Sequence, residues 1–194
     1  MELYLIRHGK TVWNEKGLLQ GHTDTELTED GKEKAKELGI KMQNIHFDKV
    51  FSSPLKRAYE TACFITQNKV QIEKDSRLIE LCFGEQEGKD FTQWQKDSSP
   101  YKAFFTNPEN YIPPKNGETL TQLIERTTDF VKSEIEPLYP TAKKVLVVAH
   151  GALNAGLMCY LQNSPIKNYW KNGLQNNLEA TIFEYDGKIW RKKN

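Results

Sequence analysis

Val145-Leu146-Val147-Val148-Ala149 is the stretch that most narrows the folds open to this chain. Five apolar residues follow one another without polar alternation, so a strand here is covered on both faces. His150-Gly151 then ends the run abruptly. The same arrangement opens the chain, where Leu3–Ile6 reads as a short buried strand running into Arg7-His8-Gly9. Val50-Phe51 closes a third apolar segment before Ser52-Ser53-Pro54. A further strand is expected at Val70–Ile72 or at Leu78–Leu81, the latter carrying Glu80.

Helical segments lie between these runs. Thr28 before Glu29 and Asp30 reads as an N-cap with acids in the first turn, followed by an apolar face of Ala35, Leu38, Ile40 and Met42. Ser53 reads as an N-cap with Pro54 at the first helical position. A long helix is expected from Glu118 to Ile135, stopped before Pro137, and an apolar one from Ala152 to Leu161. Ala180–Tyr185, Asp186-Gly187 and Lys188–Trp190 have the pattern of a hairpin. Strands alternating with helices imply an α/β domain: three layers, α/β/α, around a mostly parallel sheet, with the hairpin at an antiparallel edge.

Residues 88–116 break the pattern. They are rich in polar residues, proline and aromatics, among them Phe91, Trp94, Tyr101, Phe104, Phe105 and Tyr111. We read them as a small helical insertion within one domain spanning 1–194. Its aromatics form a satellite core and are candidates for a lid over a site.

Composition removes several classes of function. Lys and Arg number 27 against 26 Asp and Glu, a net charge of +1, so nothing draws the chain as a whole to nucleic acid or to an anionic membrane. No apolar run approaches the roughly 20 residues of a membrane span, and the N-terminus lacks the pattern of a signal peptide. Three scattered cysteines, Cys63, Cys82 and Cys159, suit a reducing compartment, so a cytoplasmic location is expected. No HxxxH or CxxC spacing points to zinc, and neither metal nor other cofactor is expected. A homodimer is left open.

The polar residues at the ends of the apolar runs carry the functional argument. Strands of a parallel sheet share one carboxyl-end rim, where ligands bind in such folds. Arg7, His8, Arg57, Glu80 and His150 are delivered there from four chain segments. Two guanidinium groups suit phosphate oxygens. Helices starting after Ser53 and Gly151 would add N–H groups for an anion. His8 beside Arg7 is expected to have a lowered pKa, which leaves the neutral imidazole a nucleophile needs. Glu80 can supply a proton to a leaving oxygen and later take one from water. His150 can donate to the oxygens of the transferred group. Together these describe phosphoryl transfer through a phosphohistidine. The bland alternatives are an Arg57–Glu60 ion pair at i,i+3 and structural roles for the histidines; His22 and His46 read as surface residues.

The stretches LIRHGKTVWN, LQGHTDTELTEDG, FSSPLKRAYETA, RLIELCFGEQEG, NGETLTQLIERT and VLVVAHGALN, in this order, resemble the histidine phosphatase superfamily, the phosphoglycerate-mutase-like family. The resemblance covers nearly the whole chain. It implies a mutase-like fold and metal-independent chemistry of a histidine acid-type phosphatase. His8 matches the phosphorylated nucleophile, Arg7, Arg57 and His150 the phosphate pocket, and Glu80 the proton donor and acceptor. Asn14 matches the asparagine of RHGxTxxN, which contacts the transferred group, and Gly21 a loop that resembles a backbone contact to substrate. Gln86 replaces an aromatic of FGxWEG and Lys10 a commoner Glu or Gln; both are expected near the pocket mouth, where they would bear on substrate choice. The stretch after Glu80 holds no arginine cluster for a substrate carboxylate. This favours the phosphatase branch, which includes broad-specificity and α-ribazole phosphatases, acting on a small phosphorylated metabolite. A phosphoglycerate mutase and a catalytically inactive phosphate-ester binding module are the alternatives.

Overall fold

The computed structural model describes residues 1–193. Six strands form one sheet: β1 (Glu2–Arg7), β2 (Lys49–Ser52), β3 (Ile72–Lys74), β4 (Lys144–Ala149), β5 (Ala180–Tyr185) and β6 (Trp190–Lys192), in the order β3-β2-β4-β1-β5-β6. The first four in that order run parallel, and β5 and β6 are antiparallel additions at one edge. The helices are α1 (Val12–Glu15), α2 (Glu29–Lys41), α3 (Lys56–Thr66), α4 (Thr92–Gln95), α5 (Ala103–Thr106), α6 (Leu120–Phe130) and α7 (Gly151–Leu161).

The layering follows from the two-residue side-chain period of the central strands. Leu146 and Val148 of β4, with Tyr4 and Ile6 of β1, pack with Ala58, Ala62 and Ile65 of α3. Val145, Val147 and Ala149 face the other way, with Leu3 and Leu5, onto Leu123 and Phe130 of α6 and the apolar α7. The connection leaving β1 therefore goes to one face and that leaving β4 to the other. These strands are neighbours, so a crevice opens between their carboxyl ends, the topological switch point of open α/β sheets. On the first face, Gly39 of α2 sits where a Cβ would lie 2.5 Å from the Phe64 carbonyl oxygen, and its bare backbone lets α2 approach α3 closely.

Several boundaries differ from the sequence reading for identifiable reasons. Thr28 does cap α2, accepting from the Gly31 N–H at 2.9 Å, but Ile40 is exposed, and Gly31 and Gly39 share the buried face instead. Ser53 does not cap α3, which begins two residues past Pro54; Asp24 reaches across from a loop to accept the Lys56 N–H at 2.9 Å. Leu78–Leu81 is not a strand. Asp75 caps a 3₁₀ turn at Ser76–Leu78, and the chain continues as irregular backbone held by side chains: the Arg126 guanidinium donates to the carbonyls of Arg77 (2.6 Å) and Glu80 (3.2 Å). The third strand lies at Ile72–Lys74. The helix expected through Ile135 is α-helical only to Phe130; it widens into a π turn over Val131–Ile135 and tightens into a 3₁₀ turn that contains Pro137. Proline lacks the N–H an α-helix would use there.

Residues 88–116 hold α4, α5 and a 3₁₀ turn at Pro108–Asn110. Their aromatics are not a satellite: Trp94, Phe104 and Tyr111 are buried in the same core that covers the α6–α7 face. Among the described residues no helix is long and apolar enough to cross a membrane.

Candidate active site

A cleft of about 420 Å³ opens at the carboxyl ends of β1 and β4. Arg7, His8, Asn14 and Glu80 line it, and His150 lies buried beneath, its ring 5.2 Å from that of His8 between centroids.

The backbone sets His8. Its N–H donates to the Ala149 carbonyl at 3.0 Å, continuing the β1–β4 ladder one residue past the strand. Its own carbonyl accepts from Asn177 Nδ2 at 2.9 Å. The ring's Nδ1 lies 2.7 Å from the Gly9 carbonyl oxygen. A carbonyl only accepts, so Nδ1 carries the hydrogen and Nε2 keeps its lone pair. Burial, first, and then the cations of Arg57 and Arg7 hold the imidazole well below its ordinary pKa. The ring is thereby neutral, with a fixed tautomer.

His150 is oriented through Ser53. The Ser53 hydroxyl oxygen accepts the Leu55 N–H at 3.3 Å and lies 2.8 Å from His150 Nε2. Its proton can then go to Nε2, which makes Nδ1 the protonated nitrogen. That Nδ1 is buried and has no protein partner. Burial and the Arg57, His8 and Arg7 side chains also push the His150 pKa well down.

Both arginines donate to backbone carbonyls from the end of the guanidinium. Arg57 donates from Nη1 to the Thr23 carbonyl (2.9 Å) and from Nη2 to the Gly21 carbonyl (2.8 Å). Its pairing with Glu60 does not form; those loop carbonyls take its place. Burial lowers its pKa to about 10, so it stays cationic at neutral pH. Arg7 donates from Nη1 to the Gln175 carbonyl at 2.7 Å. In both, Nε is buried without a partner. Three buried polar nitrogens, from Arg7, Arg57 and His150, are thus left without protein partners around His8. Unpaired buried donors are costly, and N–H groups of this kind are suited to anionic oxygens.

Glu80 is held by backbone. Its Oε1 accepts from Leu81 N (2.9 Å) and Leu153 N (2.8 Å), and Oε2 from Ala152 N (3.1 Å). The Ala152 and Leu153 N–H groups of α7 therefore serve Glu80, and the Lys56 N–H of α3 serves Asp24, so these N–H groups meet carboxylates of the protein rather than an external anion. Asn14 closes a capping box with Thr11: Oδ1 accepts the Thr11 N–H at 3.1 Å and also faces Asn177 Nδ2 at 3.4 Å. Its own NH₂ is left for the cleft. Gly21 contributes its carbonyl to Arg57, and a Cβ on it would lie 2.1 Å from Glu87 Oε1. Gln86 and Lys10 do not line the cleft, and Lys10 instead pairs with Glu15 at 3.1 Å.

Sequence reading missed a set of supporting residues. Asn177 ties His8 to Asn14. Gln175 receives Arg7. Glu87 accepts the His22 N–H (2.9 Å), the Thr23 N–H (2.8 Å) and the Thr23 hydroxyl (2.5 Å), holding the loop that grips Arg57. All three look like ordinary loop polar residues, and only their long-range partners distinguish them. The cleft's other wall is aromatic, built largely by residues 88–116. Among the described residues no cluster of His, Cys, Asp or Glu could hold a metal ion.

Residues 3–194 match the family described as "Histidine phosphatase superfamily (branch 1)". The chain belongs to the histidine phosphatase superfamily. Phosphoserine phosphatase 1 of Hydrogenobacter thermophilus is 30% identical over 188 residues, covering 91% of this chain and 83% of the relative. A 2,3-bisphosphoglycerate-dependent phosphoglycerate mutase of Cytophaga hutchinsonii is 32% identical over 164 residues, covering 82% and 76%. The crystal structure of the α-ribazole phosphatase of Shigella flexneri superposes with a TM-score of 0.86 at 27% identity, covering 100% of this chain and 95% of that one. The phosphoglycerate-mutase-like α/β fold of this histidine phosphatase is the one expected from its sequence.

Proposed function

We propose that this histidine phosphatase hydrolyses small phosphomonoesters through a phosphohistidine on His8, in the manner of the acid-type histidine phosphatases and without a metal ion. The observation that carries the reading is the group of buried, unpartnered nitrogens of Arg7, Arg57 and His150 around the neutral His8 ring. His8 Nε2 attacks phosphorus as the ester P–O bond breaks. Arg7, Arg57, His150 and Asn14 bind the phosphoryl oxygens and stabilise the charge spread over them. The Glu80 carboxyl gives its proton to the leaving oxygen. Its carboxylate then takes one from water, whose oxygen attacks phosphorus; the P–N bond breaks, and phosphate and neutral His8 are released.

The phosphatase relatives support hydrolysis over mutase transfer, and so does the cleft lining, which away from the phosphoryl end holds no arginine and no lysine. Gly21 belongs to this site as the carbonyl that aims Arg57. A cytoplasmic location and a lid role for residues 88–116 are parts of the same reading.

Turnover of p-nitrophenyl phosphate in EDTA, with trapping of the phosphoenzyme by a denaturing alkaline quench, tests it. Wild type is expected to turn over and to yield an acid-labile, base-stable phosphoryl adduct that His8→Ala lacks while keeping its circular dichroism. Near wild-type activity in His8→Ala would sink the nucleophile assignment. Isomerisation of 3-phosphoglycerate with bisphosphoglycerate outrunning hydrolysis would favour the mutase.

A further inference from the structure

The wall of the cleft facing the phosphoryl site has its own chemistry. Phe83, Phe91, Phe104, Phe105, Trp170 and Leu174 line it. The rings brace one another: Phe91 meets Phe105 edge-on at 5.3 Å, Phe105 lies near-parallel to Trp170 at 6.3 Å, and Phe104 meets Trp170 at 5.1 Å. The Trp170 indole N–H is used up on the Phe104 carbonyl at 2.6 Å, so this wall presents ring faces and edges rather than a donor. Leu174, 47% exposed, forms the open lip.

The ionisable residues lining the cleft are Arg7, the neutral His8 and Glu80, all at the phosphoryl end. No lysine and no second arginine reach the wall where the alcohol part of an ester would lie. A carboxylate there would face aromatic rings with no cation to pair with, and an unpaired charge against such a surface is unfavourable. The mutual bracing also means that little side-chain freedom is lost when a flat apolar group docks.

Resting on the hydrolase reading above, we propose that the cleft selects phosphomonoesters whose leaving alcohol carries an uncharged, planar, apolar group, and discriminates against carboxylate-bearing esters. Phosphoserine and phosphoglycerate, for which several relatives are named, both carry a carboxylate and fall in the disfavoured class. The selecting residues come from the 88–116 insertion and from the Trp170–Leu174 loop, not from Gln86 or Lys10.

The test uses three esters with closely similar leaving oxygens: ethyl phosphate, 2-phenylethyl phosphate, and the same phenylethyl ester with a para-carboxylate. Burying one phenyl group corresponds to roughly 10- to 100-fold in kcat/KM. Wild type should prefer the phenylethyl over the ethyl ester by that factor, and over the carboxylate analogue by about 10-fold or more. Phe105→Ala, at a half-buried position, should shrink the phenylethyl-to-ethyl ratio about 10-fold. Leu174→Lys, at the exposed lip, should raise the carboxylate analogue relative to the parent ester. Equal kcat/KM for ethyl and phenylethyl esters, or a preference for the carboxylate analogue, would overturn the selectivity while leaving hydrolysis standing. No turnover of these esters or of p-nitrophenyl phosphate would remove the hydrolase reading, and this inference with it.

Discussion

Two buried histidines make the stability of this protein sensitive to mild acid, and the effect can be worked out in advance. His8 is 3% exposed and His150 fully buried, and both titrate well below the ordinary value of 6.5. The unfolded chain therefore binds more protons than the folded one, and stability rises with pH in that range. The contribution is fully present above about 6.5 and is lost as pH falls toward the folded-state values. With neither imidazole taking a proton in the folded state, the loss between pH 7.5 and pH 5.5 is at most about 1.4 kcal/mol for each histidine and about 2.7 kcal/mol for the pair. That is a large fraction of the roughly 5–15 kcal/mol typical of a domain. Carboxylates with lowered pKa, such as Asp48 and Asp75, have ordinary values near 3.8 and act in a more acidic window. Urea unfolding at half-unit steps from pH 7.5 to 5.5 reads the slope. His8→Asn should lose about half of it and His8→Asn with His150→Asn nearly all. An unchanged slope in the double variant, or stability that rises on acidification, would refute the burial of neutral imidazoles and with it the basis for a neutral nucleophile.

Three other expectations concern single side chains. Glu87→Gln keeps the shape but weakens the hydrogen bonds to the His22–Thr23 loop that aims Arg57; kcat/KM should fall about 10-fold with the fold retained, and an unaltered value would show that the loop holds Arg57 without it. Glu80→Gln should slow 2-phenylethyl phosphate by about 100-fold or more but p-nitrophenyl phosphate far less, since nitrophenolate hardly needs a proton; equal losses would argue against an acid role. Phe130→Ala removes a fully buried ring packed edge-on against Phe51 at 5.3 Å and should cost about 3–5 kcal/mol in urea unfolding, whereas a loss under 1 kcal/mol would mean that the core closes over the gap.

What was legible in the sequence was whatever depends on local pattern. Uninterrupted apolar runs at Leu3–Ile6 and Val145–Ala149 marked strands covered on both faces, because only such strands can do without polar residues. Parallel pairing then required the residues after them to share a rim, so Arg7, His8 and His150 were brought together by strand direction alone. Glu80 reached the same cleft by a route the pattern did not reveal. Its segment looked like a strand, but Arg126, nearly fifty residues away, satisfies its carbonyls and frees it from pairing.

Tertiary structure alone decided the partners. Ser53 reads locally as a helix cap, yet its hydroxyl serves His150 from 97 positions away, and Asp24 caps α3 in its place. The Ala152, Leu153 and Lys56 N–H groups, each in the first turn of a helix, meet Glu80 and Asp24. Gln86 and Lys10 looked like selectivity positions from their neighbours in the chain, while the aromatic wall came largely from an insertion whose composition suggested a satellite core or a lid without saying which rings would face the cleft. The reason is general: periodicity reports which face of an element is buried, a property of a few consecutive residues. Which polar atom meets which, and which rings line a cleft, depends on distances between segments that the chain's order does not encode.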